Sequence, residues 1–158
     1  MNIADYCSEL DLQLGLTAPE ERLATTCKLL SQAFKVTADD IAVFNLDKER
    51  QELTFLWPEK LKTSGTIPLN AKNSLVARTM REKKGYLDNR FSKSSHGVIF
   101  EAFSGSKPIQ KIISVPMTDT GVIQVSKKGI DGKDAGADFI PAELNALQKM
   151  AEVIARHL

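Results

Sequence analysis

The chain of 158 residues has the length of a single domain, and at that size roughly 70% of the unfolded surface is buried, enough for one ordinary core. Lys and Arg number 21 against 20 Asp and Glu, a net charge of +1; without a basic excess, nucleic acid is not expected as a partner. No apolar run approaches the ~18 residues of a spanning helix and the first residues lack a signal pattern, while two cysteines, Cys7 and Cys27, are too few for a disulfide framework or a zinc site, so a reduced, cytoplasmic setting away from membranes is expected.

Taken in chain order, residues 1–16 place Ile3, Tyr6, Cys7, Leu10 and Leu14 at spacings of three and four, an amphipathic helix ending near Gly15. Thr17 and Glu20 suit a capping box for a second helix, with Pro19 in its first turn and an apolar stripe of Leu23, Cys27, Leu30 and Phe34. Ile41 to Leu46 is apolar at nearly every position, as in a strand covered on both faces. After a charged turn, Glu52 to Trp57 alternates, with Leu53, Phe55 and Trp57 sharing one face. Thr66 to Leu69 is a short piece that Pro68 confines to an edge or to a strand end. Asn73 or Ser74 then caps a helix through Leu75, Val76 and Met80, with Gly85 at its left-handed stop.

From Tyr86 to Lys107 no period is visible, the signature of a binding loop or of disorder. Ile109 to Met117 and Val122 to Ser126, joined by a turn at 118–121, form a hairpin. Residues 129–138 hold three glycines and four charged side chains and form a loop. A final helix begins at Pro141 with Glu143 in its first turn and Phe139 placed to meet Leu144 as a hydrophobic staple. Its stripe is Leu144, Leu147, Ala151, Ile154 and Leu158. This order, α-α-β-β-β-α-loop-β-β-α, predicts an α+β domain.

From about Leu23 onward the chain resembles a GAF domain, a ligand-binding and signalling module of phosphodiesterases, phytochromes and bacterial regulators. The resemblance is carried by Ala38-Asp-Asp-Ile-Ala-Val-Phe-Asn-Leu-Asp47, Ile67-Pro-Leu69, Asn73-Ser-Leu-Val-Ala77 and Leu87-Asp-Asn-Arg-Phe91. It continues through Ile113-Ser-Val-Pro-Met117, Gly121-Val-Ile-Gln-Val-Ser-Lys127 and Phe139. No single piece is specific, but their order over ~130 residues agrees with the elements read independently. The resemblance implies a six-stranded antiparallel sheet, with the terminal helices on one face and the middle helix plus the long loop on the other. It divides the chain into an N-terminal helix, 1–16, and a GAF-like domain, 17–158. It also implies a ligand pocket between the sheet and the 88–107 loop.

The polar groups available to such a ligand are Arg90, Ser92, Ser94, Ser95 and His96, with Ser126 from the hairpin and Phe91, Phe100 and Phe103 as apolar walls. The competing reading makes this a surface loop whose phenylalanines plug the core. In cyclic-nucleotide-binding relatives a signature of Asn-Lys, Phe and Asp-Glu recurs; here its positions hold Ser126-Lys127, Phe139 and Glu143-Leu144, a partial match. No phosphate-loop, dinucleotide, zinc-protease or nucleophile-elbow motif occurs. Asp131 to Asp138 has Lys133 and Ala135 where a calcium loop needs oxygen ligands. Methionine sulfoxide reductases of this fold need thiols in the pocket region, yet no cysteine follows Cys27; covalent bilin attachment fails for the same reason. The expectation is a non-enzymatic regulatory domain without metal or cofactor, binding a small molecule and signalling to an output domain or protein partner. Homodimerisation through the terminal helices is expected, with Leu29, Met150 and Val153 supplying a second apolar face; the alternative is a pure interaction module with a filled pocket.

Overall fold

A computed structural model describes residues 2–91 and 107–158. Helix α1, Ile3–Leu16, starts from a capping box in which Asn2 Oδ1 accepts from Asp5 N and Asp5 Oδ2 accepts from Asn2 N. Helix α2, Arg22–Phe34, follows a 3-10 turn at Pro19–Glu21. The expected Thr17 cap does not form: the Thr17 hydroxyl donates back to Gln13 O at 2.6 Å, and Arg22 Nε donates to Thr17 O. Strands β1, Ile41–Asp47, β2, Glu52–Trp57, and β3, Thr66–Pro68, come next. Helix α3, Leu75–Glu82, is capped by Ser74, whose Oγ accepts from Ala77 N at 3.2 Å. Strands β4, Tyr86–Asp88, β5, Ile109–Met117, and β6, Gly121–Lys128, precede helix α4, Pro141–Ala155.

The strands form one antiparallel sheet in the order β3-β2-β1-β6-β5-β4. Its two faces bury different sets, as period-2 alternation requires. Ile41, Val43, Ile113, Val115, Ile123 and Val125 pack against α1, α2 and α4 in the larger core. Phe44, Leu53, Phe55 and Val122 pack under Val76, Ala77 and Met80 of α3 on the other face. A third, small cluster on that face joins Leu75, Phe91, Ile109 and Ile112, with Tyr86 against it.

A 14-residue helix such as α1 is marginal in isolation. Leu10 and Leu14 are buried in the core shared with α2 and α4, about 2 kcal/mol each by transfer, so docking rather than propensity holds it. The chain ends are tied too: His157 Nε2 lies 2.8 Å from Asp11 Oδ1, and Arg22 Nη1 donates to His157 O. This arrangement revises the expected second face of α4. Met150 and Val153 are buried within the chain itself, whereas Leu158, assigned to the stripe, is 45% exposed.

Two further expectations are corrected by packing. Trp57 leaves the face of Leu53 and Phe55, because the β1–β2 register shifts between Val43 and Phe44; it packs on the helix-side core and its Nε1 donates to Ala38 O at 2.9 Å. The left-handed stop of α3 is Lys83, at φ 51°, and not Gly85. Gly85 serves close approach instead, since a Cβ there would meet Gln148 and Leu144 of α4.

Two substitutions test this packing in denaturant unfolding. At Gly121 a Cβ would lie 1.9 Å from the Phe44 carbonyl oxygen, a backbone atom that cannot swing aside; Gly121→Ala should cost about 3 kcal/mol by forcing β6 away from β1. Phe91 is fully buried, so Phe91→Ala should cost about 3–5 kcal/mol as a core truncation does, whereas the wall of an open pocket would lose little.

Candidate functional site

The sheet face beneath α3 is not apolar throughout. Between its two apolar clusters lie buried polar side chains, Thr79 of α3, Ser114 of β5, and Gln124 and Ser126 of β6. Register explains their alignment: Ala42, Gln124, Ser114 and Tyr86 are cross-strand partners in one row, and Ser126 pairs with Ile112 in the next. Buried polar groups must be hydrogen-bonded, and here they form a directional chain. The Thr79 hydroxyl donates to Leu75 O at 2.8 Å, so Ser114 must donate to Thr79 Oγ1 at 2.8 Å. Ser114 Oγ then accepts from Gln124 Nε2 at 3.2 Å. The chain ends at Gln124. Ser126 Oγ donates separately to Asp40 O at 3.2 Å.

Gln124 and Ser126 line a cavity with Ala42, Phe55, Ile109 and Ile112, bounded at one end by Asp39 and Asp40. Its volume is about 10 Å³, room for about one water molecule. Asp40 is engaged by Lys128 Nζ at 3.2 Å and by the Thr37 amide and hydroxyl. Among the described residues the lining holds no cationic side chain.

Of the residues that the sequence groups together, Ser126, Phe91 and Arg90 are described, and they lie apart. Ser126 lies at the cavity. Phe91 lies on the same face but inside the small apolar cluster. Arg90 turns elsewhere, into an open cleft of about 630 Å³ at the strand ends, with Lys111, Lys133 and Asp138. Ser92, Ser94, Ser95, His96, Phe100 and Phe103 fall outside the described residues. Lys127 and Phe139 stack on each other, with the ammonium 4.5 Å from the ring centre, and Lys127 Nζ donates to Ala137 O. Glu143 Oε1 accepts from Ile140 N at 3.0 Å, capping α4. These three positions hold the connection between β6 and α4. Thr79, Ser114 and Gln124 are not among the residues expected from sequence. A signal was present: Gln124 and Ser126 stand two apart, and Ser114 interrupts Ile112-Ile113 and Val115, in strands otherwise apolar.

Two carboxylates of the 129–138 loop, Asp131 and Asp134, hold the loop backbone. Asp131 Oδ1 accepts from Asp134 N, and Asp134 Oδ2 accepts from Ile130 N and Lys107 Nζ. Both thiols lie across the sheet from the cavity, Cys27 within the helix-side core and Cys7 against it. Burial pushes both thiols up, Cys27 far more than Cys7, so neither is a ready nucleophile.

No protein-family model and no curated protein matches the chain. Solved structures do. The GAF domain of a phosphoenolpyruvate-protein phosphotransferase from Coxiella burnetii superposes with a TM-score of 0.77 at 11% identity, over 99% of this chain and 92% of that one. The corresponding GAF domain from Acinetobacter gives a TM-score of 0.71 at 18% identity, covering 99% and 95%. A free methionine-R-sulfoxide reductase from Neisseria meningitidis, solved with its substrate, also gives 0.71, at 14% identity, covering 98% and 87%. The sheet order, the helix layer and the agreement with these structures lead to one statement: the chain has the fold of a GAF domain.

Proposed function

We propose that this chain is a GAF-type regulatory module that binds a small, uncharged or zwitterionic molecule over the polar strip of the sheet and transmits its presence to an output domain or protein partner. The observation that carries this reading is the hydrogen-bonded chain Gln124–Ser114–Thr79 in the middle of an otherwise apolar face. Such groups add little net stability, because folding only exchanges their water bonds for protein ones. A polar row that ends beside a cavity suits recognition of a polar ligand. The ligand would lie between this strip and the 88–107 segment, with Ser126 and Ser92, Ser95 and His96 as further polar contacts and Phe100 and Phe103 as walls. Without a cation in the described lining, a cyclic nucleotide is disfavoured there. With both thiols across the sheet, we read the module as non-enzymatic, the likeness to a reductase notwithstanding. The small cavity favours a second reading, an interaction module that takes no ligand; binding at this site requires the layer to open, which lowers apparent affinity by the fraction open.

We further propose that the module dimerises through its helices. Between α1 and α2 runs a groove of about 360 Å³ lined by Tyr6, Leu10, Leu29, Ala33 and Met150, and Leu12 and Leu16 stand out on the outer side of α1.

A thermal-shift panel of free amino acids, methionine-R-sulfoxide, cyclic nucleotides and small carboxylates tests the binding reading. A true ligand at 100 times its Kd stabilises by about 2.7 kcal/mol, and Gln124→Leu should remove that gain; a panel with no response supports the ligand-free module. Light scattering should report a dimer for the chain and a monomer for Leu29→Glu, and a monomeric parent would contradict pairing through this groove.

A further inference from the structure

The cleft that receives Arg90 shares no lining residue with the sheet-face cavity. It lies between the end of β4, the start of β5 and the 129–138 loop, and its volume of about 630 Å³ falls within the range of small-molecule sites. Its charged lining is Arg90, Lys111, Lys133 and Asp138, three cations to one carboxylate.

Lys111 is the unusual member. Its side chain is only 6% exposed, and burying an ammonium is costly unless it is paired. Its Nζ lies 2.8 Å from Asp138 Oδ1 and donates to Gly136 O. Among the described residues its third N–H has no acceptor. The hydrogen bond from Lys111, with the charges of Lys111, Arg90 and Lys127, holds the Asp138 carboxyl below the usual carboxylate range. The other loop carboxylates do not relieve this excess, because Asp134 pairs with Lys107 and Asp131 caps the loop backbone. The Arg90 backbone amide donates to Asp88 Oδ1 at 2.8 Å and Lys133 O accepts from Gly136 N; among the described residues neither the Arg90 guanidinium nor the Lys133 ammonium is joined by a hydrogen bond or ion pair. A guanidinium and an ammonium held free across a concave space from a buried ammonium are the elements of an oxyanion site.

We propose that this cleft binds a small molecule through an oxyanion, a phosphate or a carboxylate, with Lys111 at its base and Arg90 and Lys133 closing from the two sides. Asp138 competes with that anion for Lys111 and keeps the buried ammonium paired when the site is empty. The backbone amides of Gly132 and Gly136, which line the cleft, report on occupancy.

The test is an amide-resolved NMR titration of the full chain with pyrophosphate in one arm and citrate in the other, each at ionic strength matched with KCl. Shifts centred on Asn89, Gly132 and Gly136 in either arm support the site, and the arm that binds more tightly tells phosphate from carboxylate. Arg90→Gln and Lys133→Gln change exposed side chains; each should weaken binding about tenfold, the loss of one charge-assisted bond. Asp138→Asn should tighten it, and Lys35→Gln, on the far side of the loop, should leave it unchanged. The proposal is overturned by no saturable shift in either arm, by shifts that KCl alone reproduces, or by binding that survives Arg90→Gln/Lys133→Gln. Because the thermal panel reads Gln124, failure here leaves the sheet-face reading intact, and the reverse holds.

Discussion

The pairing of β5 with β6 is the constraint on which the rest of the molecule depends. It runs from Ile109↔Lys128 to Met117↔Gly121, and β6 pairs in turn with β1 through Ile41↔Val125 to Asn45↔Gly121. A slip of one residue would exchange Ile123 and Val125 for Gln124 and Ser126 on the helix-side core. The apolar demand of α1, α2 and α4 therefore selects the register, and the register in turn lines up the polar strip on the opposite face. Gly121 permits the closest part of this arrangement, since only a hydrogen fits against the Phe44 carbonyl.

Much of the fold is legible in the sequence where periodicity and caps are strong. The stripe Cys27, Leu30 and Phe34, the two-sided burial of β1, the hairpin at 118–121 and the edge position of β3 all follow from local pattern. What escapes is set by partners far along the chain. Strand β4 has three residues and no period of its own; it is a strand because Tyr86, Leu87 and Asp88 pair with Ser114, Ile113 and Ile112. Trp57 changes face because of a register shift that no alternation pattern announces. Gly85 suggests a left-handed cap, yet Lys83 takes that conformation while Gly85 admits α4.

The site was less legible than the fold, for a related reason. Arg90 and Phe91 are neighbours in sequence, but the turn after β4 sends one to the cleft at the strand ends and the other into the apolar cluster. Lys127, Phe139 and Glu143, picked out by their resemblance to a signature, act on architecture: a cation against a ring and a carboxylate on a helix start. The polar strip comes from three elements, α3, β5 and β6, and only the register assembles it. The two candidate regions also differ in chemistry. The sheet face presents neutral donors and acceptors, and the strand-end cleft presents charge.

If the strip Thr79–Ser114–Gln124 exists for an occupant, it adds little to folding. The most direct test is the unfolding free energy of the triple variant Thr79→Val/Ser114→Ala/Gln124→Leu, in which every member of the hydrogen-bonded chain is made apolar at once. Replacing all partners together leaves no orphaned group, so stability should stay within about 1 kcal/mol of the parent or rise. A loss of more than about 3 kcal/mol would show that the network holds the fold together, and the case for a binding face would lose its foundation.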